Sequence, residues 1–594
     1  MTAPNRNTLW ARTLVDELAQ AGVTAVCIAP GSRSTPLTAA FDRHEEIRTF
    51  SHLDERSAAY FALGRAKRTG EVTPLVCTSG TAAVNFHPAV VEASQARVPM
   101  LLLTADRPPE LRDSGANQTI DQEKLYGDSV RWYRDLPEPE PTNRKLRRLR
   151  TDAARALSTA TGTPPGPVHL NVPFRKPLEP IHVEGDVPDD LDPEAVDGRD
   201  GPFVSTSTGT PTVSETDLHE LAETLSEADR GLLVAGPEDP RLDTEAITAL
   251  AHATGFPVLA DPLSGMRFGG HVRTVPVCGG YDAYLDPAVT DDWPDPDVVV
   301  RFGASPTSKP LRKYLARVDT RQVLVDPAGE WREAEFTASD LVVADPGRLA
   351  GDLSRLVRGG RSEASAAWRE RFETAEAVHW DVYREAESGA DAEAATHESV
   401  HEGAILADVT DLAPEPATLV VSNSMPVRDL DRFAEPSTAS RTVLANRGAS
   451  GIDGVTSTAL GAGSATTDHL THVTGDLAYY HDMNGLLALG RCDVEATVVL
   501  INNDGGGIFH MLPIEQFDPP FTGQFKTPHG LDFRPTEELY DLGFARVETR
   551  EAFREAYRES VAAPGAQVIE VTSDAEASHR TREQLHERVV AELS

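Results

Sequence analysis

Short apolar runs that stop on a glycine, proline or acidic residue, each followed by a stretch of helical periodicity, recur in three blocks along this chain. The first block contains "VTAVCIAPGSRSTPL", "TPLVCTSGTAAVNFHPAVVEA" and "VPMLLLTADRPPE". The pattern returns after residue 210 in "GLLVAGPEDP", "FPVLADP", "DVVVRFGASPTSKPL" and "RQVLVDP". It returns again after residue 400 in "ATLVVSNSMPVRDL", "THVTGDLAYY", "ATVVLINNDGGGIF" and "QVIEVTSD". Short apolar strands alternating with helices are the mark of parallel βαβ units. Acidic, breaker-rich stretches at 184–202 and 384–403 separate the blocks and read as linkers. The expected architecture is α/β, with three doubly wound parallel-sheet domains at 1–185, 205–355 and 400–594, joined by linkers at 186–204 and 356–399. In open sheets of this kind ligands lie beyond the carboxyl ends of the strands, so the loops that follow strands are where chemistry is to be sought.

Charge and composition narrow the partners. A net charge of −37 argues against nucleic acid and anionic membrane. Neither a charged-then-apolar leader nor a membrane span is expected, since no apolar run approaches the ~20 residues that a span requires. A cytoplasmic, soluble protein is expected. Four cysteines, Cys27, Cys77, Cys278 and Cys492, are far apart without CxxC pairing, so core thiols are expected rather than a disulfide framework or a zinc site. Only seven of the 56 basic residues are Lys. An acidic surface poor in Lys suits concentrated salt, where screening weakens self-repulsion.

The third block carries the most specific constellation. Asp476 ends one strand, and the next ends on Asn502 and Asn503, followed by Gly505, Gly506 and Gly507. Asp476 and Asn503 are 27 residues apart, enough for one crossover helix between adjacent parallel strands. Both side chains then lie at the same sheet edge. A carboxylate, an amide oxygen and the Gly505 carbonyl are the hard donors that Mg²⁺ takes, with phosphate and water completing the shell. Glycines let backbone approach an anion closely. The bland alternative is that Asp476 caps a helix and "NNDGGG" is a turn. A helix is expected to open near Asp482, with His481 and Asp482 beside the metal site.

"GD", an intervening helix and then "NN" resembles the signature of thiamine-diphosphate-dependent decarboxylases and carboligases. The usual GDG reads Gly475-Asp476-Leu477 here, and "HDMNGL" follows. With "APGSRSTPL", "SHLDERSAAYFALG", "TSGTAAVNFHPAVVEA", "LTADRPPELRDSGANQTIDQ", "NSMPVRDLD" and "ANRGASGIDGVTSTALG", the chain resembles the MenD family, densely in the first and third blocks and thinly in the second. That resemblance implies pyrimidine-binding, central and diphosphate-binding domains, thiamine diphosphate with Mg²⁺ or Mn²⁺, and a homo-oligomer, either a dimer or a dimer of dimers. The implied reaction of menaquinone biosynthesis joins 2-oxoglutarate, with loss of CO₂, to isochorismate by 1,4-addition. Alternatives are another thiamine-dependent carboligase or 2-oxo-acid decarboxylase, such as acetolactate synthase, or a non-catalytic cofactor-binding scaffold.

By the same resemblance Glu55 bonds the cofactor's aminopyrimidine and activates it, for which it needs partial desolvation. Read alone, Glu55 is a solvated acid in a helical first turn opened by Asp54. Pro30, Gly31, Thr81, Ser424, Ile452, Gly475, Leu477, Gly507, Ile508 and Phe509 match cofactor-contacting positions, with Ile452 bending the cofactor. Ser32, Arg33, Arg107, Asn117, Gln118, Lys309, Arg428 and Arg447 match substrate positions, and guanidinium groups suit dicarboxylates. Pro310 stands where the family can carry Arg, and Arg312 or Lys313 is the candidate substitute. His87 is expected to pack, and His510 is a further candidate acid/base group. The acidic, Lys-poor surface makes a prediction of its own. The unfolding temperature should rise between dilute buffer and molar KCl; a midpoint unchanged or lowered by salt contradicts the halophilic reading.

Overall fold

The computed structural model describes residues 3–238, 242–358, 362–388 and 400–594. They fall into two compact units, one comprising Met1–Thr208, Asn446–Thr467 and His481–Val494, the other Gly209–Ala445, Asp468–Tyr480 and Glu495–Ser594. The first holds one six-stranded sheet and the second holds two. Every pairing between the strands of these sheets is parallel. The inner strands, such as "MLLLTAD" at Met100–Asp106, are buried, as strands covered on both faces must be, while edge strands such as Arg48–Ser51 and Gly543–Val547 are partly exposed.

The sheet of the first unit runs, in space, Arg48–Ser51, Ala25–Ile28, Pro74–Cys77, Met100–Asp106, Pro167–Pro173, Trp132–Asp135. One sheet of the second unit repeats that order with Arg441–Leu444, Ala417–Val421, His469–Gly475, Ala496–Asn502, Ala566–Thr572 and Gly543–Val547. In both, the chain reverses direction across the sheet between its first and third strands, which opens a crevice beyond their carboxyl ends. The loops at 29–33 and 78–81 flank that point in the first unit, and 422–424 and 476 flank it in the second. The remaining sheet has the order Asp340–Val342, Arg321–Val325, Val298–Phe302, Gly231–Ala235, Val258–Ala260, Val277–Cys278, with its reversal between Gly231–Ala235 and Val298–Phe302.

Three expectations need correction. A helix does open at Asp482, as a 3-10 turn at Met483–Leu487, but an unexpected helix, Asp476–His481, precedes it directly after the strand. The stretch 356–399 is not bare linker. A helix at Glu363–Ser388 buries Trp368, Phe372, Ala375 and Val382 in a core shared with Tyr281, Tyr284 and Leu311. Its acidic exposed face hid an apolar stripe, and 389–399 lie outside the described residues. Within 186–204, a short helix at Pro193–Asp197 docks through Ala195, and Arg150 donates to the Ala195 and Val196 carbonyls. The four cysteines are buried and free, as expected.

Glu55 opens a helix, Glu55–Thr69, that packs in the first unit on another, Val455–Gly463. Asp54 caps the former by accepting from the Arg56 and Ser57 N–H groups. The two helices meet backbone to backbone. A Cβ on Gly64 would fall 1.9 Å from the Thr458 carbonyl oxygen, and one on Gly461 would fall 2.0 Å from that of Phe61. The Tyr60 hydroxyl adds a 2.6 Å bond to Asp453. Gly64→Ala should therefore push the helices apart and destabilise the protein by about 1–3 kcal/mol. Denaturant unfolding measures this, and a variant as stable as wild type refutes the close contact.

Candidate active site

In the second unit, register places Gly475 opposite Ile501 on adjacent strands, so Asp476 and Asn503 emerge at neighbouring strand ends. Asp476 is 2 % exposed. Its Oδ1 accepts the Leu477 N–H at 2.6 Å and its Oδ2 the Gly505 N–H at 2.9 Å, while His529 Nε2 lies 3.2 Å from Oδ2. Burial pushes its pKa up, against those hydrogen bonds. Asn503 donates Nδ2 to Glu402 at 2.8 Å, and its buried Oδ1 has no partner. Gly505 sits at φ 139°, and a Cβ there would fall 2.0 Å from the Lys526 carbonyl, so only glycine fits.

Among the described residues no group of three or more His, Cys, Asp or Glu is arranged to hold a metal ion. The strand-end set is different in kind: one buried carboxylate, one orphaned amide oxygen and a glycine carbonyl. Such donors fit a hard divalent cation shared with phosphate oxygens. A Cβ on Gly475 would meet nothing within 4 Å, which leaves backbone open to a ligand. Leu477, Gly507, Ile508 and Phe509 are half-buried around it, and the Phe509 ring packs edge-on against Phe525.

Ser424 stands at φ 71°, an uncommon conformation for a non-glycine residue. It begins a turn into the helix Met425–Phe433, and Arg428 donates back to its carbonyl. Lys309 is exposed at the start of the helix Lys309–Arg317, which Ser308 caps. Pro310 costs this helix nothing, because a first-turn N–H has no intrahelical partner. Arg312 is paired with Glu335 at 3.5 Å, whereas Lys313 is exposed.

In the first unit, Glu55 is half-buried, and its charge bears on the Cys77 thiol at the end of Pro74–Cys77. A Cβ on Gly31 would fall 2.3 Å from the Thr78 Cβ, so the 29–33 loop lies tight on that strand end. Pro30, Ser32 and Thr81 are exposed beside it. Arg33 is buried, donating Nη1 to the Phe174 carbonyl at 2.7 Å, and burial followed by the Arg107 charge lowers its pKa. Arg107 reaches the Asn117 carbonyl at 2.7 Å, and Gln118, at φ 54°, bonds the Ser79 backbone. Arg447 and Ile452 are half-buried on a loop whose Gly448 and Ala449 N–H groups both donate to Glu92.

Glu402, His529, Glu92 and Asp482 were not singled out from sequence as ordering these loops. No local motif marks the first three, which lie 25 or more positions from the residues they hold. Asp482 does not open a helix through its side chain. Fully buried, it accepts the Ser457 N–H at 2.6 Å and the Ser457 hydroxyl at 3.1 Å, capping Val455–Gly463 from a distance because Gly454 cannot. The His481 carbonyl accepts from Arg56, His510 pairs with Glu515, and the His87 ring packs edge-on to Tyr126.

The three sheets and their paired strand ends define a class, and three domain families match it. The chain matches "Thiamine pyrophosphate enzyme, N-terminal TPP binding domain" at residues 10–125. It matches "Middle domain of thiamine pyrophosphate" at 200–376 and "Thiamine pyrophosphate enzyme, C-terminal TPP binding domain" at 428–571. A solved thiamine diphosphate-dependent 4-hydroxybenzoylformate decarboxylase of Rhodococcus jostii RHA1 shares the fold, with TM-score 0.71 and 17% identity over 95% of this chain and 99% of that one. Relatives named 2-succinyl-5-enolpyruvyl-6-hydroxy-3-cyclohexene-1-carboxylate synthase match along nearly their whole length. Those of Haloquadratum walsbyi and Haloarcula marismortui are 63% and 64% identical, each over 100% of both chains. The one of Roseiflexus sp. is 49% identical over 96% of both. The chain belongs to the 2-succinyl-5-enolpyruvyl-6-hydroxy-3-cyclohexene-1-carboxylate synthase family.

Burial lifts the pKa of Asp482 from 3.8 to about 7, with Arg56 lowering it and Asp54 raising it. Between those values the folded chain holds a proton that the unfolded chain has lost, so stability falls as pH rises from 4 to 7 and is flat above. Asp482→Asn keeps an acceptor for Ser457 and removes the titration. Relative to wild type, the variant should gain on the order of 2–4 kcal/mol between pH 4 and pH 7.5. Parallel unfolding curves across that range contradict the assignment.

Proposed function

We propose that this chain is a thiamine-diphosphate-dependent synthase that decarboxylates 2-oxoglutarate and adds the succinyl unit in 1,4 fashion to isochorismate, in menaquinone biosynthesis. Full-length identity of 63% to a synthase of that name carries the reading. The donor set at Asp476 and Asn503 supports it from the side of chemistry.

Bound thiamine diphosphate supplies the carbon nucleophile and the electron sink for the decarboxylation. Asp476, Asn503 and the Gly505 carbonyl would hold Mg²⁺ or Mn²⁺ against its diphosphate. The half-buried Glu55, in the first turn of a helix capped by Asp54, would share a proton with a ring nitrogen of the aminopyrimidine. Pro30, Gly31, Thr81, Ser424, Gly475, Leu477, Gly507, Ile508 and Phe509 would line the cofactor, and Ile452 would hold it bent. Arg33, Arg107, Arg428, Arg447 and Lys309 would pair the substrate carboxylates, with Ser32, Asn117 and Gln118 as polar contacts. With Pro310 in the first helical turn and Arg312 paired to Glu335, Lys313 is the remaining substitute for the missing arginine.

The same reading assigns residues 1–185 to pyrimidine binding, 205–355 to the central domain and 400–594 to diphosphate binding. It places the enzyme in the cytoplasm as a homodimer or a dimer of dimers. Exposed Leu53 in one unit, and exposed Tyr480, Leu512 and Phe517 in the other, are surfaces of the kind a second copy covers.

The test is CO₂ release from 2-oxoglutarate with and without isochorismate. Release should depend on isochorismate, and Glu55→Gln should lower it by about 10²–10⁴-fold while thiamine diphosphate still binds. Equal release without isochorismate, or full turnover by the variant, contradicts the proposal.

A further inference from the structure

Behind the Asp476–Asn503 strand ends lies a buried set of charges that the reaction itself does not use. Glu402 is 1 % exposed at the start of the helix Glu402–Leu412. Its Oε1 accepts from Asn503 Nδ2 at 2.8 Å and from the Ser573 hydroxyl at 3.1 Å. Its Oε2 accepts from Arg582 Nη2 at 2.8 Å. Arg582, 3 % exposed on the C-terminal helix Ala575–Leu593, also donates Nε and Nη2 to Asp429 at 2.6 and 2.7 Å. Gly507 lies against the same amide nitrogen: a Cβ there would fall 2.7 Å from Nδ2, so a glycine is what leaves the amide its place.

An amide has two unlike ends, and turning it over exchanges an acceptor for a donor. An ionised carboxylate can only accept. Glu402 therefore takes the NH₂ end of Asn503, which sends Oδ1 to the opposite side, where it is buried and without a partner. A turned amide would set oxygen against oxygen at Glu402 and present NH₂ where a cation ligand is needed. Arg582 donates to the other Glu402 oxygen, so both carboxylate oxygens face donors. Buried ion pairs seldom repay their desolvation in stability, so orientation accounts for this one better than stability does.

We propose that Glu402 is a positioning residue that fixes the Asn503 amide with its oxygen toward the divalent cation, and that Arg582 anchors Glu402 in place through its second oxygen. This rests on reading Asp476 and Asn503 as the cation site.

The test is the Mn²⁺ dissociation constant of the full-length protein with thiamine diphosphate, read from the EPR signal of free Mn²⁺. In Glu402→Gln the side-chain oxygen turns to Arg582 and its NH₂ faces Asn503, so the Asn503 amide flips. Mn²⁺ binding should weaken about 10–100-fold. The double variant Glu402→Gln, Asn503→Asp exchanges donor and acceptor across the same contact at constant charge. It gives the cation a carboxylate oxygen again, and affinity should return toward wild type. A merely structural Glu402 would show no such rescue. Wild-type affinity in the single variant, or a double variant that binds no tighter than the single, overturns the proposal. Should the single variant fail to fold, the double variant decides by itself: it binds Mn²⁺ if pairing is what matters and does not if Glu402 serves only Arg582. Asp476→Ala separates the two readings. If it abolishes Mn²⁺ binding while Glu402→Gln changes nothing, only the role of Glu402 falls; if it leaves Mn²⁺ affinity intact, the cation site itself falls.

Discussion

A carboxylate taken out of water at the end of a buried strand must be met by something. Asp476 is met by the Leu477 and Gly505 N–H groups, and burial still raises its pKa. One strand over, the Asn503 oxygen is buried with nothing to bind. A buried oxygen without a partner beside a buried carboxylate is a costly arrangement that a bound cation would relieve. The surroundings hold both groups in place. Gly505 allows a backbone turn that no other residue could make against Lys526, and Glu402 with Arg582 lies behind Asn503.

The repeated strand order supplies the geometry. Two sheets of identical connectivity each offer a crevice beyond their first and third strands. In one, the crevice is flanked by the 29–33 and 78–81 loops, with Glu55 on a helix held by a glycine-mediated backbone contact. In the other it is flanked by Ser424 and Asp476. Parallel strands fix the polarity of every loop, so residues far apart in sequence arrive at the same sheet edge without any local signal.

Much of this was legible in the sequence. Abrupt ends of apolar strands at Gly475-Asp476 and Asn502-Asn503, one crossover apart, predicted their adjacency. The three-sheet architecture followed from strand–loop–helix periodicity. Helix Glu363–Ser388 was hidden because its exposed face is acidic enough to pass for linker, while Trp368 and Phe372 on the other face close a core. Glu402 was invisible for a different reason. It lies 101 residues from Asn503, and only the fold brings it there. The helix Asp476–His481 was missed because a strand that runs straight into a helix leaves no turn residues to mark the boundary, and the side-chain partner of Asp482, Ser457, is 25 positions away.

Relatives from halophilic archaea at 58–64% identity agree with the reading of the acidic, Lys-poor composition as a solvent adaptation. The chemistry sits apart from that adaptation, in a few buried groups. The most direct measurement of the account is the anomalous scattering of Mn²⁺ in crystals grown with thiamine diphosphate. A single strong peak bonded to Asp476, the Asn503 side-chain oxygen and the Gly505 carbonyl, with diphosphate oxygens completing its shell, is the predicted result. A peak elsewhere, or a diphosphate seated away from these two strand ends, would contradict it.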